Sequence, residues 1–354
     1  MAGDGAHPPR AAERSRAARH HLDRPAACDP ACKAWLLVTK RPNAYEPMKA
    51  TLGDRPFSDD GWVYEPKLDG VRALASRDGK AVTLTSRSGR PLERTYPELV
   101  DAVAADPCRD FVADGEIVAF EGGLTSFSRL QGRMGLTDPD AARRTGIAVH
   151  LYLFDLLWLH GHDTTELQLH RRKRLLRGAL VFDGPIHFVT HRDERGEELF
   201  EEACAKGMEG LIAKRADSLY RPGRSRDWLK LKCSQQQELV IGGFTASKGA
   251  RREFGALLVG YYEGGTLCYA GKVGSGFDHA TLERLGDRLR ELEVDGSPFA
   301  SVRPVPPDSH WVAPELVVEV AFGEWTRDGR LRHPRFLGLR DDRAAADVVR
   351  ERPA

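Results

Sequence analysis

Short β-prone runs separated by turn residues dominate the first half of the chain and limit the folds that it can adopt. From Trp62 to Arg87 three such runs alternate with Asp69-Gly70 and Asp78-Gly79, dipeptides that favour hairpin turns. Two further strands are predicted over residues 111–120 and 147–159. Three helices are predicted over residues 98–105, 166–180 and 194–206. The pattern indicates a domain of mixed helices and strands.

Beyond Cys233 the pattern changes to short strands interrupted by one helix. The strands are predicted over residues 238–245, 256–262, 267–273 and 315–322, and the helix over residues 279–293. Five or so strands with one helix in about 120 residues fit a small barrel such as an OB-fold. We therefore expect a domain boundary near residue 235. Residues 1–45 are expected to form a mobile tail and lead-in, because the first 33 residues are rich in Ala, Arg, His and Pro.

Charge and cysteine content bound the cellular setting. The chain of 354 residues carries 53 Lys+Arg against 52 Asp+Glu, yet residues 206–252 hold eleven basic residues against four acidic ones, a local surplus of +7. Such a basic region fits a nucleic-acid partner. No apolar run reaches about 18 residues and no secretory signal is recognisable, so we expect no membrane association. The six cysteines form no regular framework, which predicts reduced thiols in the cytoplasm.

Lys67 is the first candidate for covalent chemistry. It follows a predicted strand and precedes the turn at Asp69-Gly70. A lysine can attack phosphorus only as the neutral amine, so neighbouring cations or a metal must favour loss of its proton. By itself, the sequence Lys67-Leu68-Asp69-Gly70 is also compatible with a surface lysine in a hairpin.

Further motifs give Lys67 a context. Five of them follow in the order Ser86-Arg87-Ser88-Gly89-Arg90, Ala113-Asp114-Gly115-Glu116-Ile117, Leu153-Phe154-Asp155-Leu156-Leu157, Glu209-Gly210-Leu211-Ile212-Ala213-Lys214 and Trp228-Leu229-Lys230-Leu231-Lys232. This ordered set resembles the motif series of the covalent nucleotidyltransferases, which comprise ATP-dependent DNA ligases, RNA ligases and mRNA capping enzymes. Residues 331–343 resemble the C-terminal motif of DNA ligases.

The resemblance implies a fold and a domain arrangement. The fold is α+β, with a nucleotidyltransferase (adenylation) domain of antiparallel sheets flanked by helices, followed by a C-terminal OB-fold β-barrel. The adenylation domain is expected over residues 46–234 and the barrel over residues 235–354.

The resemblance also implies roles for the nucleotide-binding residues. Lys67 matches the nucleophile that takes AMP from ATP as a lysyl-AMP phosphoramidate, and Phe154 matches the ring that stacks on adenine, with Tyr152 as the alternative. Glu65, which shares the strand face of Lys67, matches a contact to the adenine edge. Arg72 matches a nucleotide contact and Arg87 a contact to phosphate or DNA.

Metal and phosphate ligands are implied in the same way. Glu116 and Glu209 are expected to bind Mg²⁺, with Mn²⁺ as an alternative metal, because two carboxylates beside a triphosphate suit a hard cation. Glu116 has a second possible role at the ribose hydroxyl. The cations expected at the phosphates are Lys214, Arg226, Lys230 and Lys232. Lys230 and Lys232 have equal parity on a short strand and should point into one cleft.

The C-terminal motif implies closure over the nucleotide. Arg340, Asp342 and Arg343 match residues that orient pyrophosphate, although the family motif usually ends in Lys where this chain has Arg343. DNA contacts are expected from Arg90, Arg224 and Arg332.

Residues 241–245, 254–260 and 271–277 resemble the bacterial ligase D group of ATP-dependent DNA ligases. That group works in non-homologous end joining with the Ku protein, so the expected partners are nicked or broken duplex DNA, Ku and separate polymerase or nuclease repair proteins. A cytoplasmic, nucleoid-associated monomer is expected. Two alternatives remain open at this point: an RNA ligase or related nucleotidyltransferase, and a non-catalytic DNA-binding repair scaffold.

Overall fold

The structure, a computed structural model, describes residues 40–247 and 253–352. Most of the expected N-terminal tail therefore lies outside the described residues. Within Leu37–Ala354, which forms one compact unit, the first helices and strands run up to residue 232. The strands are β1 (Met48–Leu52), β2 (Trp62–Pro66), β3 (Val71–Asp78), β4 (Ala81–Ser86), β5 (Asp110–Val118), β6 (Phe120–Glu121), β7 (Leu124–Thr125), β8 (His150–Leu159), β9 (His162–Asp163), β10 (Ile186–Phe188), β11 (Gly210–Arg215) and β12 (Gly223–Lys232). The helices are α1 (Pro97–Ala105), α2 (Phe127–Leu130), α3 (Pro139–Arg144), α4 (Leu169–Ala179) and α5 (Gly196–Ala205).

The second set of elements begins at residue 236. It comprises β13 (Gln236–Thr245), β14 (Leu257–Glu263), β15 (Thr266–Val273), α6 (His279–Glu291), β16 (Glu293–Val294), β17 (Ser309–Val312), β18 (Val317–Ala321), β19 (Glu324–Trp325), β20 (Leu331–Arg332), β21 (Arg335–Leu339) and a single 3₁₀ turn, Ala345–Asp347.

Three sheets contain most of these strands, and β6 with β7 and β19 with β20 form two small two-stranded sheets. A four-stranded sheet has the order β1-β12-β11-β2, and a six-stranded sheet has the order β10-β8-β5-β3-β4 with β9 on β8. The third sheet contains only strands after residue 235, in the order β15-β14-β13-β17-β16, with β18 on β13 and β21 on β18. Pairing is antiparallel except for β1 with β12 and β10 with β8. Largely antiparallel sheets with flanking helices, followed by a C-terminal sheet, agree with the α+β architecture expected from the sequence.

Of the two hairpins predicted at Asp-Gly dipeptides, the structure contains one. Asp78-Gly79 makes the predicted hairpin, since β3 and β4 pair up to Asp78 and Ala81. The hairpin predicted at Asp69-Gly70 is wrong, because β2 pairs with β11 whereas β3 pairs with β4 and β5 in another sheet. A side chain at Gly70 would lie 2.2 Å from the carbonyl oxygen of Ile117. The glycine thus serves a close crossing from one sheet to the other.

The cysteine expectation also needs correction. Cys204, at the end of α5, forms a disulfide with Cys233, which directly follows β12. The two residues are 29 positions apart, so their approach depends on how α5 packs against β11 and β12. Cys108 and Cys268 are free.

Each sheet has an apolar core. The largest core belongs to the C-terminal sheet and α6, and another lies under the six-stranded sheet and α1. A smaller cluster joins β8 to β12 through Phe154, Leu157, Tyr220 and Trp228. Burial of such clusters is the main stabilising contribution to folding. None of the helices in the described residues is long and apolar enough to cross a membrane.

Candidate active site

One cleft gathers most of the residues predicted to be functional. Strands of the four-stranded and six-stranded sheets line it, and the C-terminal sheet contributes further side chains. The predicted residues that line it are Glu65, Lys67, Arg72, Arg87, Glu116, Phe154, Glu209, Lys214, Arg224, Lys230, Lys232, Arg340 and Arg343. Residues separated by up to 278 positions therefore meet at one site.

Lys67 and Glu209 form an ion pair on the cleft floor. The Nζ of Lys67 lies 2.5 Å from Oε1 of Glu209, and the backbone N–H of Lys67 donates to the carbonyl of Gly210 at 2.9 Å. Gly210 has φ +142° and a side chain there would lie 1.9 Å from the carbonyl oxygen of Leu231. Only glycine allows this approach of β11 to β12, which sets the position of Glu209 opposite Lys67.

Glu209 remains ionised despite its burial. Burial favours the neutral acid, but Lys67 and Lys232 outweigh it and hold the pKa of Glu209 below its usual value. Gln236 also donates to Oε1 of Glu209 at 2.6 Å. The other oxygen, Oε2, is buried and has no hydrogen-bond partner.

An aromatic recess surrounds Glu65 at one end of the cleft. Lys214 lies 2.6 Å from Oε2 of Glu65 and within 4.3 Å of the ring centres of Phe154 and Trp228. Burial lowers the pKa of Lys214 to about 8, although Glu65 opposes the shift. The recess therefore combines π-faces with a compact group of buried charges.

Arg72 supports the same recess. Its guanidinium donates twice to the carboxylate of Asp114, at 2.5 and 2.6 Å, and lies 4.6 Å from the ring centre of Phe154. Because Tyr220 also donates to Asp114 at 2.6 Å, the arginine is held in a fixed orientation next to the predicted stacking ring.

The other end of the cleft is basic. Lys230 and Lys232 both point into it, as their parity on β12 predicts, and both contact the carboxylate of Glu351. Burial opposes ionisation of Glu351, but the two lysines lower its pKa to about 2. An anion thus already lies between the two predicted phosphate ligands, and it comes from the chain itself.

The C-terminal motif reaches the basic end through a second carboxylate. Glu238 on β13 accepts from Arg87 at 2.8 Å and pairs with Arg343, while Arg340 donates to Asp342 at 2.9 and 3.0 Å. The buried Nε atoms of Arg87 and Arg343 have no hydrogen-bond partner. Unsatisfied guanidinium donors in a cleft fit an anionic ligand such as a polyphosphate.

The cleft also fits a divalent cation. Burial raises the pKa of Glu116 to about 7, although Arg72 opposes the shift, and Glu209 presents its unpaired Oε2. The described residues contain no group of three His, Cys, Asp or Glu side chains that could ligate a metal. Two carboxylates together with substrate phosphates are, however, the usual ligands of Mg²⁺ at nucleotide sites.

Several predicted residues lie outside the cleft. Arg226 is exposed on β12, Asp342 is buried against Arg340, and Tyr152 stacks on His187 at 4.6 Å instead of lining the recess. The remaining two are surface arginines: Arg90 donates to the carbonyl of Asp341 at 2.5 Å, and Arg332 pairs with Glu324.

Sequence reasoning missed several charged residues that partner the predicted ones, among them Asp114, Lys173, Glu238 and Glu351. Asp114 stands two positions before Glu116 and therefore shares its strand parity, a signal that was present in the sequence. No comparable local signal marks the other three.

Comparison with known proteins identifies the family of the chain. The family model described as the ATP-dependent DNA ligase domain matches residues 47–232, and that of the ATP-dependent DNA ligase C-terminal region matches residues 250–343. The chain belongs to the ATP-dependent DNA ligases. The first match contains Lys67, Glu209 and the lysines of β12, and the second contains Arg340 and Arg343.

Relatives of this ligase are larger proteins. It is 38% identical over 324 residues to the multifunctional non-homologous end joining protein LigD of Pseudomonas aeruginosa. The aligned region covers 89% of this chain and 38% of the relative. The protein of the same description from Mycolicibacterium smegmatis is 38% identical over 320 residues, or 88% of this chain and 40% of the relative. The chain thus spans about two fifths of the length of these relatives.

A solved structure shares the fold of this ligase. Mycobacterial DNA ligase D complexed with ATP and MES is 36% identical, with a TM-score of 0.60 over 86% of this chain and 98% of that one.

Proposed function

We propose that this ligase seals breaks in duplex DNA in three steps that begin at Lys67. The Nζ of Lys67 attacks the α-phosphorus of ATP, the bond to the β-phosphate oxygen breaks, and pyrophosphate leaves. An oxygen of the DNA 5′-phosphate then attacks the phosphorus of lysyl-AMP and breaks the P–N bond. The 3′-hydroxyl finally attacks the activated 5′-phosphate and expels AMP.

The pairing of Lys67 with Glu209 in the cleft carries this proposal. Lys67 shares the cleft with the aromatic side chains of Phe154 and Trp228 and with basic side chains of β12 and of the C-terminal motif. ATP needs both kinds of partner, because its flat base stacks on aromatic rings and its triphosphate pairs with cations. A nucleotide bound in this cleft therefore lies within the same site as the amine of Lys67.

The remaining cleft residues take roles that follow from their contacts. Glu65, Arg72 and Phe154 hold the nucleoside, and Lys214 supports Glu65 in the same recess. Lys230 and Lys232 hold the phosphates, where fixed positive charge stabilises the moving phosphoryl group. Arg340 and Arg343 orient pyrophosphate, with Asp342 fixing Arg340. Arg87 contacts phosphate or DNA, and the exposed arginines 90, 224, 226 and 332 contact the DNA backbone.

Glu116 and Glu209 are the carboxylates that we propose for Mg²⁺ or Mn²⁺. The metal supplies positive charge to the triphosphate when it is bound. Glu116 and Glu209 would hold the cation, and Glu209 would also keep the side chain of Lys67 in place through their ion pair.

We also propose the biological setting. The domains are an adenylation domain over residues 46–234 and an OB-fold over residues 235–354. The LigD relatives are named as end-joining proteins, which supports a cytoplasmic, nucleoid-associated role in double-strand break repair. Ku and separate polymerase or nuclease proteins are the proposed partners of a monomeric ligase.

A nick-sealing assay tests the proposal. The purified chain is incubated with a labelled duplex that carries one nick with a 3′-hydroxyl and a 5′-phosphate, in parallel with ATP, GTP and NAD and with Mg²⁺ or Mn²⁺. We expect sealing with ATP and a divalent metal only. Absence of sealing with ATP and either metal contradicts the function, and preferential sealing of a nick with 3′-ribonucleotides assigns RNA-containing breaks as the substrate. Adding Ku to blunt-ended DNA tests the partner separately, because stimulation is expected for end joining alone.

A further inference from the structure

Lys173 is a buried cation directly behind the cleft. It lies on α4 with 2% of its side chain exposed, and its Nζ donates to Oε1 of Glu65 at 2.6 Å and to the carbonyl of Val189 at 3.1 Å. Glu65 lines the cleft whereas Lys173 does not. Lys173 can therefore influence a ligand only through its neighbours, and Glu65 is the charged one among those to which its Nζ donates.

Glu65 is held between two ammonium groups. Lys173 takes Oε1 and Lys214 takes Oε2, each at 2.6 Å, and the carboxyl side chain is only 2% exposed. Burial opposes its ionisation, but the two lysines hold the pKa of Glu65 below its usual value. The carboxylate can therefore only accept hydrogen bonds, and its plane is fixed from two sides.

The position of the Glu65 carboxylate determines which nucleotide base it can hydrogen-bond. The recess around Glu65 is aromatic, with Phe154 and Trp228 in the cleft wall, and the phosphate-binding cations Lys230 and Lys232 are part of the same cleft. A flat base that enters the recess meets an acceptor-only group. Adenine presents an exocyclic amine, which donates, whereas guanine presents a keto oxygen at the same ring position, which only accepts.

We propose that Lys173 is a positioning residue that sets the preference for adenine over guanine nucleotides by keeping Glu65 ionised and oriented. The inference rests on the proposed function, because it assumes that ATP binds with its base in this recess. It adds a residue outside the cleft and outside every motif identified in the sequence. Lys214 alone is insufficient for this role, since it contacts only Oε2 of Glu65 and leaves Oε1 to Lys173.

Nucleotide binding in a Lys67→Ala background separates this inference from the chemistry. That background cannot form lysyl-AMP, so the dissociation constants of ATP and GTP report recognition alone. Into it we introduce Lys173→Met, Glu65→Gln, both together, and Arg174→Met as a control that removes an exposed basic charge from the same helix. Thermal unfolding of each variant verifies that the protein is folded.

The expected result is a loss of discrimination. Lys173→Met should weaken ATP binding by about tenfold or more and narrow the ATP/GTP preference by at least about tenfold, as expected when a charged hydrogen bond is lost. Because Lys173 acts through Glu65, the double variant should match Glu65→Gln. Arg174→Met should change neither constant.

Two results overturn the inference. One is an unchanged ratio of the dissociation constants of ATP and GTP in folded Lys173→Met, which would show that Lys173 has only a structural role. The other is a double variant whose defect is the product of the two single defects, since independent residues behave in that way. If Lys173→Met does not fold, Lys173→Gln with the same two criteria replaces it. Failure of the proposed function would be seen in a different experiment, as the absence of adenylation of the unmodified chain by ATP.

Discussion

The Nζ of Lys67 lies 2.5 Å from Oε1 of Glu209, so the residue that we propose as the nucleophile is paired with a carboxylate. The contact holds the side chain of Lys67 in place in the cleft. Under the proposed function, the amine must leave this contact to attack phosphorus.

Glu209→Gln tests this relationship. Glutamine keeps the size of the side chain but carries no negative charge, so it neither positions Lys67 by ion pairing nor binds a divalent cation strongly. We expect lysyl-AMP formation to fall by roughly a hundredfold or more. The measurement is the single-turnover rate of protein labelling, with Glu201→Gln on the exposed face of α5 as the matched control. A rate within about threefold of the parent would remove Glu209 from the reaction.

Glu116 should make the stability of the protein depend on pH in a specific direction. Its pKa is raised to about 7, above the usual value for Glu, so the folded state holds this proton more tightly than the unfolded state does. The free energy of unfolding therefore falls as the pH rises from about 4.5 to about 7. Glu116→Gln lacks this loss, and its melting temperature should exceed that of the parent by a few degrees, about 2–6 °C, at pH 8 but not at pH 4.5.

Differential scanning calorimetry at pH 4.5 and pH 8 measures this difference, with exposed Glu121→Gln as the control. Added Mg²⁺ should stabilise the parent at pH 8 more than Glu116→Gln, because a bound cation compensates the buried charge. Equal melting temperatures for parent and Glu116→Gln at both pH values would show that the charge of Glu116 does not destabilise the folded state.

Glu351 should compete with the nucleotide. Its carboxylate contacts Lys230 and Lys232, and a triphosphate must displace it to reach them. Glu351→Gln should therefore lower the KM for ATP in adenylation by about threefold to tenfold, since a neutral amide binds two ammonium groups less strongly. Glu263→Gln is the control, because Glu263 is exposed and pairs with the adjacent Arg352. An unchanged or higher KM would mean that Glu351 supports the lysines instead of competing.

Binding to nicked DNA should be steeply dependent on salt. If the exposed arginines 90, 224 and 332 contact phosphates, the slope of log K against log salt should be about −3 or steeper, and Arg332→Ala should reduce it by about one. Fluorescence anisotropy with a nicked duplex between 50 and about 300 mM salt measures the slope. A flat response contradicts an electrostatic interface.

Strand parity and motif order predicted residues that share one cleft. Lys67 with Glu65, and Lys230 with Lys232, share faces because side chains alternate along a strand, and the structure places all four in one cleft. These inferences depend on neighbours in sequence, which local backbone geometry constrains strongly.

The partners of those residues were not predictable in the same way. Lys173 reaches Glu65 across 108 positions and Glu351 reaches Lys230 across 121. Such contacts depend on how α4 packs on the sheets and on where the segment after the 3₁₀ turn runs. Gln236 and Gln237, at the domain boundary expected near residue 235, belong to β13 and pair with β18. Their side chains bond Glu209 and the backbone of Val349. The crossing at Gly70 was missed for the same reason, since an Asp-Gly pair favours a turn without determining which strands it connects.

Covalent labelling with α-³²P-ATP tests the central claim most directly. The purified chain is incubated with the labelled nucleotide and Mg²⁺, denatured, and exposed separately to acid and to alkali before electrophoresis. The account predicts label on the protein that alkali preserves and acid removes, as a P–N bond requires, and no label on Lys67→Ala. Equal labelling of the parent and Lys67→Ala, or no labelling of the folded parent, would contradict it.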